Sequence, residues 1–330
     1  MLCLSRSICA LALKGGRANN ISSIGIGNLR KYHKMRLVQF SSSLDHHDHD
    51  DGKQYLGVEL SLGGDVVNLV ASDPSLPNNM REFLEGGVET MDKAERAVSS
   101  ASEKTVVKRT DLKLLPPITN PEKIFIIGMN YAGHCEEQNV KQPREPIVSG
   151  KFANAIAGPF DDIIYNDETE EMDWEVELGI VIGKAGKNIK ESDAMDHVVG
   201  YTVCNDVSAR EWQMKRNGRQ WLLSKTFDTY CPLGPAIVTK ESLSDPHNLG
   251  LRCRVNGVTK QDSNTSDLIF KTPRLLAHIS KFLTLKPGDI ILTGTPSGVG
   301  FTRDPPEFLK RGDIFETEID EIGTLINKIV

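Results

Sequence analysis

Between residues 172 and 183 apolar and polar positions alternate: Trp174, Val176, Leu178, Ile180 and Ile182 take every second place, and the run ends at Gly183. A period of two predicts a strand, with those five side chains on one face and Asp173, Glu175, Glu177 and Val181 on the other. Shorter apolar runs predict further strands at 37–40, 56–62, 66–71, 123–127, 200–204, 252–255 and 289–292, and a closing hairpin over 312–330. Helical spacing marks 78–85, stopped by Gly86-Gly87, and 88–99, where Val88, Met91, Ala94, Ala97 and Val98 recur. Residues 192–199, 208–217 and 274–283 also read as helices, and Asn256-Gly257 is a hairpin turn signal.

The stiff, proline-bounded segment at 116–121 separates two regions. Residues 35–115 are expected to form a small N-terminal β-plus-α domain, and residues 122–330 a larger α+β domain that carries the chemistry. Residues 1–44 contain no Asp or Glu, whereas Lys and Arg recur among Ser, Asn, Leu and Ile. That is the composition of a mitochondrial transit peptide, expected over residues 1–34 with the matrix as destination; an untargeted tail is the alternative. The formal net charge of -6 gives no basic footprint for nucleic acid, and no apolar run approaches the ~18 residues of a membrane span. Neither partner is expected. Six cysteines stand without a paired framework and read as reduced thiols; Cys135 beside His134 is the one candidate nucleophile, with a buried free thiol the plainer reading.

The strand at 172–183 points Glu175 and Glu177 the same way, about 7 Å apart. Two carboxylates so close repel unless a proton or a hard cation lies between them, so the pair is a candidate metal site; a charged edge strand is the competing account. Asp206 follows the strand at 200–204. Ser208-Ala209-Arg210-Glu211 has the form of a capping box, which would cap the next helix without Asp206 and leave that acid free to join the pair. In the turn after residue 128, His134 and Glu137 at i and i+3 would share a helix face, where the carboxylate would orient the imidazole as a proton shuttle. Lys225 lies between Trp221-Leu222-Leu223 and Tyr230, and a lysine buried there needs an anion. The Gly-rich run 293–300 lacks the Lys-Ser/Thr ending of a phosphate loop and is no nucleophile elbow, but its backbone N–H groups suit a carboxylate. The His/Asp tract at 45–52 reads as a solvated hairpin loop, with metal capture as the lesser alternative.

The runs 128–134, 173–177, 205–210, 224–227 and 294–300, taken together and in register, resemble the fumarylacetoacetate hydrolase family over essentially all of residues 122–330. The resemblance implies a β-rich mixed roll and a homodimer. It implies one Mg2+ or Mn2+ per subunit on Glu175, Glu177 and Asp206, with His134 and Glu137 as acid–base dyad and Lys225 as active-site cation. Arg210, Gln213 and Thr295 would line the substrate site. Leader and small domain included, the chain resembles members that interconvert enol- and keto-oxaloacetate, so a small dicarbonyl carboxylate is the expected substrate and a cation-stabilised enolate the expected route. Acylpyruvate hydrolysis and oxaloacetate decarboxylation are the alternatives on the same site, and a catalytically silent, metal-stabilised oligomer is a distant one. The sequence departs from many relatives in carrying Gly133, where they have Asp, just before the dyad histidine.

Overall fold

A computed structural model of the chain describes residues 34–42 and 53–330. The expected leader, Lys34 apart, and the His/Asp tract at 45–52 lie outside the described residues. The first part of the chain supplies β1 (Arg36–Ser42), β2 (Tyr55–Glu59), β3 (Val66–Asn68), α1 (Leu69–Ser72), α2 (Met80–Glu85), α3 (Gly87–Ser99), β4 (Val106–Val107) and β5 (Leu112–Leu115). Then follow β6 (Ile124–Gly128), α4 (Ala132–Glu137), β7 (Ile147–Lys151), β8 (Ile156–Ala157), β9 (Met172–Asp173), β10 (Val176–Ile182), β11 (Val198–Asn205), β12 (Ser208–Ala209), α5 (Arg210–Met214) and α6 (Leu222–Lys225). The chain ends with β13 (Cys231–Thr239), β14 (Gly250–Val255), β15 (Val258–Asn264), α7 (Thr272–Ile279), β16 (Ile290–Leu292), β17 (Ile314–Ile319) and β18 (Gly323–Lys328).

Twelve strands form one mixed sheet whose main path is β4-β3-β2-β1-β13-β11-β10-β16-β6-β7, with β5 on β1 and β8 on β13. Most pairs are antiparallel; β16–β6 and β13–β8 are parallel. Because β1 pairs with β13, the sheet of residues 35–115 continues without a break into that of residues 122–330. Among the described residues no helix is long and apolar enough to cross a membrane.

The alternation at 172–183 resolves into two cores. Trp174, Val176, Leu178, Ile180 and Ile182 join Leu251, Cys253, Phe315, Ile319 and Leu325 of the four-stranded sheet β15-β14-β17-β18, together with Leu275 and Leu276 of α7. Val181 faces the other way, into the core that holds Met80 and Phe83 of α2 and Met91 and Ala94 of α3. Full burial on both faces accounts for the continuous apolar run. β10 lies between β11 and β16, so the charged-edge account of Glu175 and Glu177 fails.

Local signals act where the sequence has them. Asn79 caps α2 by accepting from Glu82 N at 2.9 Å, and Asn256 (φ 50°) with Gly257 (φ 75°) makes the two-residue turn between β14 and β15. Several helices are shorter than expected: α2 covers Met80–Glu85 of 78–85 and α7 runs Thr272–Ile279 against 274–283, while the strand expected over 66–71 gives way to α1 at Leu69. Residues 191–197 form a 3-10 segment, and the helix expected over 208–217 is confined to Arg210–Met214.

Candidate active site

Antiparallel pairing sets the site. Val176 and Glu177 of β10 lie opposite Asn205 and Cys204 of β11, so the start of one strand meets the end of the other. Asp206 N donates to Glu175 O at 2.9 Å, and the Asn205 side chain accepts from Glu175 N at 3.0 Å. The carboxylates of Glu175, Glu177 and Asp206, all buried, come within 4.8 Å of one another, the one such group among the described residues. Gly294, held at φ 100°, donates its N–H to Glu177 Oε2 at 2.6 Å; a Cβ there would collide with Asn130 and with the Ile127 carbonyl.

Three buried cations face these acids. Lys225 Nζ donates to Glu175 Oε2 (2.8 Å), Asp206 Oδ2 (2.7 Å) and Ser208 Oγ (2.6 Å). Arg210 Nη1 lies 2.8 Å from Glu175 Oε1 and donates to Gln213 Oε1 at 2.6 Å, while its Nε holds Asp173 Oδ2 at 2.8 Å. Lys151 Nζ stands 2.7 Å from Asp206 Oδ1 and donates to the carbonyls of Val207, Tyr230 and Lys225. Burial opposes the charge on Glu175, but Lys225 and Arg210 outweigh it and hold the carboxyl at about 2. Glu177 goes the other way: burial, then Asp206 and Glu175, push it well above the carboxylate range. Burial also disfavours the Lys225 ammonium, yet Asp206 and Glu175 more than compensate and raise its pKa.

Four buried carboxyls, Asp173 included, thus meet three buried cations, and burial with its acid neighbours makes Glu177 the carboxyl that keeps a proton. A divalent cation among Glu175, Glu177 and Asp206 would take the place of that proton. The donors are hard oxygens, and each carboxylate keeps lone pairs beyond those its lysine or arginine uses. The residues fit a divalent metal.

On α4, His134 Nδ1 lies 2.8 Å from Glu137 Oε2, the i, i+3 contact the sequence predicts. Glu137 Oε1 accepts from Gly298 N (2.8 Å) and Thr302 Oγ1 (2.9 Å). Burial alone would raise the Glu137 pKa, but the His134, Gly298 and Thr302 hydrogen bonds lower it, so the carboxylate is an acceptor and Nδ1 carries the hydrogen. His134, Glu175, Glu177, Asp206, Arg210, Gln213, Lys225 and Thr295 all line one cavity of about 370 Å3; Glu137 stands behind His134. Thr295 Oγ1 is already engaged, donating to Val176 O (3.0 Å) and accepting from Gln261 Nε2 (2.7 Å).

The capping role read for Ser208 needs correcting, whereas the buried-thiol reading of Cys135 holds and its nucleophile alternative does not. Ser208 caps nothing: it lies in β12 paired with Asp173, donates to Asp206 O at 2.8 Å and accepts from Lys225, while Ala209 is the uncapped N-cap of α5. Asp206 does join the glutamates, but strand pairing brings it there. Cys135 is buried, and burial followed by Asp267 and Glu136 raises its thiol pKa, the reverse of an activated nucleophile. Sequence reasoning missed Lys151, Gln138, Asp173 as the partner of Arg210, and Phe301, whose ring lies 4.4 Å from the Arg210 guanidinium carbon. An apolar-flanked lysine was the available signal for Lys225; Lys151, at the end of an exposed edge strand, gives none.

Residues 123–330 match the family model described as Fumarylacetoacetate (FAA) hydrolase C-terminal. The chain belongs to the fumarylacetoacetate hydrolase family. It is 59% identical over 296 residues to the mitochondrial oxaloacetate tautomerase fahd2 of Xenopus laevis, covering 90% of each chain. It is 54% identical to the mitochondrial oxaloacetate tautomerase FAHD2A of Homo sapiens, covering 90% of this chain and 92% of that one. Among solved structures, maleylpyruvate hydrolase from Sphingobium sp. SYK-6 in complex with manganese(II) ion and pyruvate matches with a TM-score of 0.70 and 28% identity, covering 90% of this chain and 99% of that one.

Proposed function

We propose that the chain is a mitochondrial oxaloacetate tautomerase that interconverts enol- and keto-oxaloacetate in the matrix. The observation that carries this reading is His134, backed by Glu137, on the wall of the same cavity as the buried carboxylates and Lys225. Relatives at 54–59% identity that span nine-tenths of the chain bear the same activity in their names, and the acid-free basic leader agrees with their compartment.

Glu175, Glu177 and Asp206 would hold one Mg2+ or Mn2+ per subunit. Such a cation supplies Lewis-acid polarisation of the substrate's oxygens. Arg210 Nη2, buried without a hydrogen-bond partner, is free for a substrate carboxylate, and Gln213 fixes the guanidinium beside it. Lys225 offsets negative charge that grows on the substrate as its hydroxyl proton leaves. His134 takes that proton at Nε2 and returns it to the adjacent carbon, with Glu137 keeping the ring oriented. One proton moves from oxygen to carbon while the C=C double bond is replaced by C=O, and no σ bond between heavy atoms is severed, so the dyad and the cations suffice. Thr295 would contribute by shape, since its hydroxyl is committed. The subunit would pair as a homodimer, as the family resemblance implies.

The test is to add purified protein with Mg2+ to freshly dissolved enol-oxaloacetate and follow the ultraviolet loss of the enol. An accelerated decay that His134→Ala abolishes is the expected result; a decay rate equal to the blank rejects the activity. Pyruvate release and acylpyruvate cleavage in the same preparation report the decarboxylase and hydrolase alternatives.

A further inference from the structure

Gln138 immediately follows α4 as its C-cap, and its side chain folds back over the helix onto the dyad. Its Nε2 lies 2.7 Å from His134 Nε2, the nitrogen opposite the one held by Glu137. The same amide nitrogen lies 3.4 Å from Met129 Sδ, and Met129 sits in the left-handed backbone region at φ 54°, where a bulky side chain is uncommon.

The tautomer follows from the partners. Glu137 accepts from Nδ1, so a neutral His134 has a bare Nε2 with a single lone pair, and that lone pair receives one N–H of Gln138 while the other points to the sulfur. The atom that must take the proton is therefore already engaged. Substrate has to displace the amide, and the imidazolium that forms then needs an acceptor for its new Nε2–H. A primary amide meets both needs, because turning it over replaces the NH2 donor with the carbonyl acceptor.

Resting on the tautomerase reading, we propose that Gln138 is a positioning residue for proton transfer: a reversible cap that donates to neutral His134, yields to substrate, and accepts from the imidazolium. Nε2 gains one proton from the substrate and gives one back; Gln138 keeps its own.

The test uses the Mg2+-loaded enzyme, with pH profiles of kcat and kcat/KM for wild type, Gln138→Leu and Gln138→Glu. A glutamate can only accept, so Gln138→Glu is expected to favour the imidazolium and move the acid limb of kcat/KM up by about one pH unit. Leucine offers neither donor nor acceptor, so Gln138→Leu is expected to lower kcat about tenfold with little movement of the limb. Apart from position 138, the charged groups around His134 are the same in all three proteins: Glu136 and Glu137 on its own helix, Asp267 beside Gly133, and Lys141, Glu175, Glu177, Asp206, Arg210, Arg219 and Lys225 on the walls of the cavity it lines. A difference between them therefore reports position 138. Wild-type limbs and kcat values within twofold in both variants would overturn the proposal. Nitrogen NMR of histidine-labelled protein separates this from failure of the activity itself. If wild type does not accelerate enol decay, a His134 Nε2 signal that shifts in Gln138→Leu still supports the cap, and one that stays in place overturns it.

Discussion

Glu137 and Asp173 hang from the same loop. Gly298 N and Thr302 Oγ1 hold Glu137, while Gly300 N (2.7 Å) and Phe301 N (3.1 Å) hold the two oxygens of Asp173. Asp173 in turn anchors Arg210, so residues 298–302 tie the His134–Glu137 pair to the arginine on the cavity wall. Asp173→Ala leaves the buried Arg210 with Glu175 as its one acid partner and frees the loop, which should destabilise the protein by about 3 kcal/mol and reduce kcat. Urea unfolding measures it; an unchanged midpoint contradicts the account.

The dyad also sets a pH dependence. The folded pKa of Glu137 lies below its unfolded value of ~4.3, so the charged carboxylate favours the folded state. That contribution is complete above the unfolded pKa and is lost as pH falls through the folded one. The stability difference between wild type and Glu137→Gln should be constant from neutral pH to about pH 5 and shrink toward pH 3. Thermal melts across that range decide it, and a gap that widens in acid has the wrong sign.

Glu177 behaves in the opposite sense. Its pKa in the metal-free protein is raised by burial and by Asp206 and Glu175. Metal-free protein should therefore lose stability as pH rises above ~4.3, and metal uptake near neutrality should expel a proton. Glu177→Gln, which mimics the protonated acid, should match or exceed metal-free wild type in stability and fail to bind Mg2+. Titration calorimetry in two buffers of different ionisation heat checks the proton, and equal heats after correction for dilution would exclude its release.

Gly133 sits where a side chain would crowd an acid. Its N–H donates to Asp267 Oδ2 at 3.0 Å, and a Cβ would come within 3.3 Å of the same oxygen. Gly133→Asp would set like charges together at the start of α4 and tilt His134 away from its working position. A fall in kcat of about tenfold is expected, with partial rescue by Asp267→Asn. Lack of rescue would assign the loss to the bulk of the side chain against Asp267 and Ser297 and not to its charge.

Period two made the two faces of β10 legible, and i, i+3 spacing made the dyad legible, because both are local regularities of the chain. Asp206 was reached through a wrong step: Ser208-x-x-Glu211 matches a capping box, yet Ser208 serves β12 and Lys225, while Glu211 accepts from Thr169 Oγ1 and Glu170 N. Tertiary partners took both ends of the motif. Gln138 and Asp173 carry no local sign of their roles, since their partners are set by a folded-back side chain and by a loop 127 residues away.

Lys151 supports the carboxylate cluster where the chain leaves β11. Its side chain is fully buried, it donates to three backbone carbonyls, and it stands against Asp206 Oδ1. Through these contacts it pins the segments that carry Asp206 and Lys225. Lys151→Met preserves bulk but leaves those oxygens without a donor and Asp206 with one cation fewer, so a loss of about 3–5 kcal/mol is expected in metal-free protein. A divalent ion among Glu175, Glu177 and Asp206 would offset part of the uncovered charge. The melting-temperature gap between Mg2+-loaded and EDTA-treated protein should therefore be wider in Lys151→Met than in wild type. If the gap is the same in both, Lys151 supports the backbone alone and contributes nothing to the charge balance of the carboxylates.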